Sequence, residues 1–474
     1  MTDRMGRIQT IHFIGIGGVG MAGIAEVLIS LGYRVQGSDL KRGKAIARLE
    51  KLGADIRIGH KAEHVAAADA VVVSSAVPTD NPEVAAAQQA RIPVVQRAQM
   101  LAELMRFRYG IAVAGTHGKT TTTSLVASIL AEAGLDPTFV IGGRLASVDA
   151  NARLGAGRYL VAEADESDTS FLHLQPMISV VTNIDADHLV AYDNSIDRLK
   201  QGFLEFLHNL PFYGLAVMCR DDDNARELIP DVGRRVVSYG FGERADVRAS
   251  GLKPQGLVTK FELLHPELPA PEAFELKLPG RHNVMNATAA ICVAVELGVD
   301  VEPIRKALAG FSGIDRRLEV LDTVETEAGE VLFVDDYGHH PTEIAATLAA
   351  AGDAWPERRL VVVFQPHRFT RTHELFDDFA QVLSGCDSLL LLPVYAAGEE
   401  AIGGADSKSL ARAIRARGSV EPVLVDELEA LPELLGNILK ANDVVLTLGA
   451  GSIGTAAAGL PAAMRARRPV GVKV

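Results

Sequence analysis

Four stretches of this chain combine residue types that do chemistry. The first is Gly115-Thr116-His117-Gly118-Lys119-Thr120-Thr121-Thr122-Thr123. Glycines let backbone N–H groups approach a phosphate closely, and a helix N-terminus adds partial positive charge. In that setting Lys119 reaches the terminal phosphates and the Thr120 hydroxyl sits on Mg²⁺. The longer GxxxxGK pattern needs a glycine where Val113 stands, so this is a shortened phosphate loop. The second stretch is Gly15-Ile16-Gly17-Gly18-Val19-Gly20, followed by Ser38-Asp39. An acid about twenty residues after such a loop is where a dinucleotide fold holds ribose hydroxyls. GxGxxG reports a diphosphate on a helix end and not which nucleotide carries it, so a nicotinamide or flavin site is the alternative reading.

The third stretch is a pair of acid clusters, Glu163-Ala164-Asp165-Glu166-Ser167-Asp168 and Asn183-Ile184-Asp185-Ala186-Asp187-His188. Mg²⁺ at a triphosphate takes one or two carboxylates plus phosphate oxygens and water. Glu163, the first acid after its strand, is best placed. His188 by itself reads as a hydrogen-bonding histidine, because Mg²⁺ prefers oxygen. The remaining acids read as Mg²⁺ support or as solvated charges. The fourth comprises Asp335-Asp336-Tyr337-Gly338-His339-His340 and Gln365-Pro366-His367-Arg368-Phe369-Thr370-Arg371-Thr372. His, Tyr and Arg together suit a carboxylate substrate and developing negative charge, or a set of structural hydrogen bonds. Asn283 and Asn286 share a helical face, where amides read a nucleobase edge or cap the helix. Arg316 and Arg317 stand near a domain junction, as a phosphate clamp or an ion pair.

Alternating strands and helices must position these groups. The β-branched run Ile111–Ala114 leads into the phosphate loop, and Leu125, Val126, Ile129 and Leu130 mark one face of the helix beyond it. Ile11–Ile14 leads into the glycine loop, and Ala70–Ser75 is a further strand whose carboxyl end, with Ser75, faces the same crevice. Apolar strands at Tyr159–Ala162 and Ile178–Asn183 end in the acid clusters, as in a parallel sheet whose active edge lies at the strand C-termini. Later strands at Val331–Val334, Leu360–Phe364, Ser388–Pro393, Val423–Val425 and Val444–Leu448 alternate with helical patterns. The fold class is α/β with three domains over 1–107, 108–314 and 315–474. The first and last are Rossmann-like, and the central one is a P-loop ATP-binding parallel sheet.

Totals narrow the function. A net charge of −13 argues against nonspecific nucleic-acid binding, which needs clustered Lys and Arg. Three dispersed cysteines, Cys219, Cys292 and Cys386, exclude a disulfide scaffold or zinc knuckle and fit a reducing compartment. No apolar run approaches the roughly eighteen residues of a membrane span, and no signal-peptide pattern opens the chain, so the expected location is the cytoplasm.

The order of these motifs, together with Gly280-Arg281-His282-Asn283-Val284-Met285-Asn286-Ala287 and Phe206-Leu207-His208-Asn209-Leu210-Pro211-Phe212-Tyr213-Gly214, closely resembles the Mur ligase family across essentially the whole chain. The resemblance implies an enzyme of peptidoglycan precursor synthesis, hence of cell-wall biogenesis, cell shape and cell division. The implied reaction joins L-alanine to the lactyl carboxylate of UDP-N-acetylmuramate through an acyl phosphate, with ATP and Mg²⁺ or Mn²⁺. It implies a monomer or weak homodimer. It assigns Gly15, Gly17, Gly18, Gly20, Ser38, Asp39 and Ser75 to the UDP-sugar. It assigns Gly115, Thr116, His117, Gly118, Lys119, Thr120, Thr121, Asn283, Asn286 and Arg317 to the nucleotide. Thr120, Glu163 and His188 become the metal ligands. Tyr337, His339, His367, Arg368 and Arg371 become the alanine site with Asp336 close by, and Lys119, His188, Asp336, His339 and Arg371 carry the catalysis. One local departure follows His188. This chain has Leu189-Val190-Ala191-Tyr192 where relatives tend to have Met-Asp-Thr-Tyr.

Overall fold

The computed structural model describes residues 5–74, 77–78, 80–145, 150–418 and 420–466. They form three sheets in two compact units. The first unit comprises Met1–Leu252, Lys260–Lys277 and Asn283–Ser312. The second comprises Lys253–Thr259, Leu278–His282 and Gly313–Val474.

In the first unit a five-stranded parallel sheet runs in the spatial order Asp55–Ile58, Arg34–Asp39, Thr10–Ile14, Ala70–Val73, Val94–Gln96. Strand order reverses beside Thr10–Ile14, and in open α/β sheets ligands bind outside the strand C-termini at such a switch point. Ile11, Phe13 and Val72 pack on one face, and Ile14, Val71 and Val73 on the other. A strand buried on both faces must be apolar throughout, which is why Ala70–Val73 reads as a continuous run. The helix Val19–Ser30 follows the glycine loop.

The second sheet of this unit has ten strands. At its centre Tyr109–Ala114 lies between Ile178–Val181 and Tyr159–Glu163, all parallel, with Ile111 paired to Ile178 and Val161. Beyond Ile178–Val181 come Leu215–Cys219, Arg235–Gly240, Val247–Gln255, Val258–Leu264 and Glu272–Leu276. Beyond Tyr159–Glu163 come Thr138–Leu145 and Ala150–Arg153. The expected all-parallel sheet is corrected at one edge, where Ala150–Arg153 runs antiparallel to Thr138–Leu145. Short polar edge strands carry little apolar signal, so pattern reading passes them over. Helix Lys119–Glu132 packs with Leu125, Val126, Ile129 and Leu130 fully buried. One apolar cluster extends from Ile11 and Phe13 to Phe171, Phe203 and Phe206, with the Phe171 ring 5.3 and 5.1 Å from those of Phe203 and Phe206.

In the second unit the order is Glu319–Thr326, Gly329–Asp336, Asp443–Leu448, Leu360–Phe364, Ser388–Leu391, Val423–Leu424. All neighbours are parallel except the first pair. That antiparallel edge strand, Glu319–Thr326, is the element missing from the sequence reading. Six of its eight residues are exposed or half-buried, and it shows no apolar alternation. Val361 and Val363 face one apolar layer, and Val362 and Phe364 the other, as the two-residue period of a strand requires. Among the described residues no helix is long and apolar enough to cross a membrane.

Candidate functional site

The phosphate loop is built by its neighbours. Gly115 (φ +129°) and Gly118 (φ +82°) adopt backbone angles that side chains rarely tolerate. A Cβ at Gly115 would overlap the Thr182 hydroxyl, and one at Gly118 would lie 2.5 Å from Asn286 Oδ1. Gly118 is the residue before helix Lys119–Glu132, so the loop delivers its backbone to a helix N-terminus. The end of the adjacent strand then stitches it in place. His117 N–H donates to Asn183 Oδ1 (2.8 Å), and Asn183 Nδ2 and the Thr182 hydroxyl donate back to His117 O (3.0 and 2.6 Å). Asp185 N–H donates to the Thr116 hydroxyl (2.9 Å), and His117 Nε2 lies 3.1 Å from Asp185 Oδ2. Two glycines whose missing side chains form the cradle, at a helix N-terminus beside a lysine, fit a nucleotide's phosphates. Thr120 is half-buried on the first turn, and Thr121 is buried.

Lys119 is the centre of this region. Its Nζ donates to Gly115 O (2.6 Å), Thr116 O (3.0 Å) and both oxygens of Glu166 (2.9 and 3.1 Å). Burial alone would lower the lysine pKa, but Glu166, Asp165 and Glu163 outweigh it and keep the ammonium protonated. Glu163 ends one of the two strands that flank the loop strand, and His188 lies seven residues beyond the other. Gly142 N–H donates to Glu163 Oε1 (2.6 Å). His188 takes φ +56° and turns Nε2 to within 3.5 Å of Asp187 Oδ2. Glu166 is not a solvated charge: it is a fully buried partner of Lys119.

Asn286 is not an unengaged amide on a helix surface. Its Oδ1 accepts from the buried Thr122 hydroxyl (3.2 Å) and its Nδ2 donates to Asn283 Oδ1 (3.3 Å), so it braces the phosphate loop from helix Arg281–Glu296. Only tertiary packing brings Thr122, far away in the chain, against this amide pair.

The glycine loop is likewise closed by its own sheet. Gly15 (φ +77°) and Ile16 donate to Ser38 O (2.9 and 3.1 Å), and Gly17 N–H donates to Asp39 Oδ2 (2.8 Å). Gly18 caps the helix that carries Gly20. The Asp39 carboxylate thus holds the loop through Oδ2. The Ser38 hydroxyl turns inward and donates to Glu83 (2.5 Å). Glu83 is fully buried and also meets His64 Nδ1 (2.6 Å), His60 Nδ1 (3.3 Å) and His12 Nε2 (3.4 Å). Burial pushes its carboxyl up, but the contacts from His12, Ser38 and His64 prevail and hold it down at about 2. No motif announces this cluster, whose members are scattered between His12 and Glu83. Ser75 lies outside the described residues.

Near the carboxyl ends of these strands is a cavity of about 520 Å³, lined by Ser74, Gln96, Arg97, Asp168, Ser170 and His173 among others. Arg97 lies against the first turn of the glycine-loop helix, where a Cβ at Gly20 would come within 3.1 Å of its Nη1. It also approaches Asp165 at 3.6 Å. No motif or spacing in the sequence marks Arg97.

In the second unit Asp336 is buried at a strand end. It accepts from Gly338 N (2.8 Å), Leu318 N (2.8 Å) and the Thr347 hydroxyl (3.2 Å). It shapes the turn that presents Tyr337 and His339. Tyr337, His339, His367 and Tyr395 form a run of rings with successive centroids 5.4, 5.8 and 5.5 Å apart. Arg316 and Arg317 lie over the Tyr337 ring at 5.0 and 5.5 Å, and Arg316 Nε is fixed by Asp335 (2.7 Å). Arg368 is exposed with φ +71°, and Arg371 is buried one turn on. The structure thus gathers Tyr337, His339 and His367, and places two arginines on the same segment as His367.

Three α/β sheets, a phosphate loop and a strand-end set of His, Tyr and Arg define a nucleotide-binding protein of modular build. Residues 10–109 match the Mur ligase family catalytic domain, 113–294 the Mur ligase middle domain, and 316–451 the Mur ligase glutamate ligase domain. The chain belongs to the Mur ligase family. It is 61% identical over 457 residues to the UDP-N-acetylmuramate–L-alanine ligase of Halorhodospira halophila, covering 96% of this chain and 93% of that one. It is 60% identical over 460 residues to the enzyme of the same name from Methylococcus capsulatus, covering 97% of each. The crystal structure of the UDP-N-acetylmuramate–alanine ligase of Thermotoga maritima superposes with a TM-score of 0.80 at 31% identity, covering 96% of this chain and 98% of that one.

Proposed function

We propose that this chain joins L-alanine to the lactyl carboxylate of UDP-N-acetylmuramate, with ATP cleaved to ADP and phosphate. The phosphate loop carries the reading. Lys119 at a helix N-terminus, with Gly115 and Gly118 in backbone states only glycine holds comfortably, is built for terminal phosphates. The family membership and the relatives' names support the substrate pair. The proposed division of labour is UDP-sugar binding over 1–107, ATP binding over 108–314 and amino-acid binding over 315–474, in a cytoplasmic enzyme.

A carboxylate is a poor electrophile, so its oxygen first attacks the γ-phosphorus and ADP departs. Phosphoryl transfer needs in-line positioning and charge neutralisation more than covalent help. Lys119 supplies one positive charge. Thr120, Glu163 and His188 would hold Mg²⁺, which neutralises charge on the phosphates when bound. The neutral amine of alanine then attacks the acyl carbon, and phosphate leaves as the amide forms. In this reading Arg371 clamps the alanine carboxylate, with Arg368 and Tyr337 beside it. His339 or His367 takes the ammonium proton, since imidazole titrates near neutrality. Asp336 holds the turn that presents them.

The test is ADP release from ATP with UDP-N-acetylmuramate, with and without a panel of L-amino acids. Release should require both the sugar nucleotide and alanine. Release independent of either sinks the proposal. Lys119→Ala should abolish product while leaving UDP-sugar binding intact, and retained turnover would remove the phosphate loop from the mechanism.

A further inference from the structure

The ammonium of Lys119 is already saturated. A lysine has three N–H donors. Here one goes to Gly115 O, one to Thr116 O and one to the Glu166 carboxylate. The two carbonyls belong to the phosphate loop itself and move with it. Glu166 comes from a different strand end, 47 residues along the chain, and its carboxylate is 1% exposed. It is also anchored from behind. Its main-chain oxygen accepts from the Tyr192 hydroxyl (2.6 Å) and from Thr169 N–H (3.2 Å). Tyr192 is buried and closes the short helix Leu189–Tyr192 directly after His188. Glu166 therefore has little freedom to follow the lysine if Nζ swings outward.

We propose that Glu166 is a positioning residue for Lys119, holding the ammonium drawn back against its own loop and competing for it with the terminal phosphates of ATP. This rests on the nucleotide reading above. Phosphate and carboxylate are both anions, and one ammonium cannot serve both at full strength in a site screened from water. Binding ATP must then weaken the Lys119–Glu166 contact, and the cost of leaving a buried carboxylate poorly paired is subtracted from affinity. The contact would keep Lys119 ordered and charged while preventing over-tight nucleotide binding. Tyr192, whose hydroxyl donates to the Glu166 main-chain oxygen, is the anchor that makes the competition stiff.

A purely structural brace predicts the opposite sign, because removing a brace loosens the loop and weakens nucleotide binding. The experiment is calorimetric titration of the full-length protein with ATP and Mg²⁺, for the wild type, Glu166→Gln and Glu166→Asp. Glu166→Gln removes the competing charge and should bind ATP about tenfold more tightly. Glu166→Asp keeps the charge but withdraws it by one methylene, and should show a smaller gain. In turnover, KM for ATP should fall in the same order, while KM for UDP-N-acetylmuramate stays unchanged. Circular dichroism and thermal unfolding identify folded variants. If Glu166→Gln fails to fold, Glu166→Asp decides alone. Equal or weaker ATP binding by the folded variants overturns the inference and leaves the nucleotide reading standing. A wild type that binds no ATP overturns both.

Discussion

At the scale of single residues, buried charge is the organising theme, and Glu83 shows it most clearly. A carboxylate with no solvent exposure survives only if its oxygens are satisfied. Here Ser38 and three histidines from three separate segments supply the contacts. Because Ser38 O also receives the Gly15 and Ile16 N–H groups, Glu83 indirectly supports the glycine loop. Its carboxyl is held at about 2, below the ordinary 4.5. A depressed folded-state pKa gives stability that is present above pH 4.5 and lost as pH falls towards 2. Glu83→Gln should therefore cost on the order of 3 kcal/mol at pH 7, and the gap to the wild type should close between pH 4.5 and 2. Urea unfolding across that range measures it, and a constant gap would show that the charge is not what stabilises. The motif glycines, Lys119, Asp39 and the strand-end histidines were legible from sequence because their types and spacing recur for chemical reasons. Glu83, Glu166 and Arg97 were not, because what distinguishes them is who surrounds them.

At the scale of elements, the phosphate loop illustrates how a local motif depends on distant partners. Its strand and helix follow from an apolar β-branched run and a buried apolar helix face. Its conformation follows from Thr182, Asn183, Asp185 and Asn286, which lie at least 64 residues from Gly118 in sequence. Gly118→Ala places a methyl group 2.5 Å from Asn286 Oδ1 at a left-handed φ. The αL penalty alone is about 1–2 kcal/mol. ATP affinity should drop at least tenfold while UDP-sugar affinity holds, as parallel titrations with each ligand would show. A variant with wild-type ATP affinity would mean that the loop need not keep its left-handed cap. The same dependence explains Asn283 and Asn286. They share a helical face in the sequence, and in the fold Asn286 closes the cradle from behind.

At the scale of the whole molecule, three sheets share the chain, and both compact units carry buried thiols. Cys219 ends a strand and Cys292 lies in helix Arg281–Glu296, both in the first unit. Cys386 lies in the second. All three are free and buried, and burial pushes the thiols of Cys219 and Cys386 up to about 12 and that of Cys292 well above its usual range. The native protein should react with an aromatic disulfide reagent at pH 8 at least a hundredfold more slowly than the urea-unfolded chain, since only exposed thiolate attacks. A fast native phase would mean local opening at one thiol. The class of fold and its three-part order were decided by sequence alone, because strand burial demands apolar runs and phosphate binding demands glycine beside lysine. The central sheet's antiparallel edge, the strand Glu319–Thr326 and the partners of Lys119, Asn286 and Glu83 were decided only by tertiary structure. Those are pairings between residues far apart in the chain, and no local period or propensity encodes which one meets which.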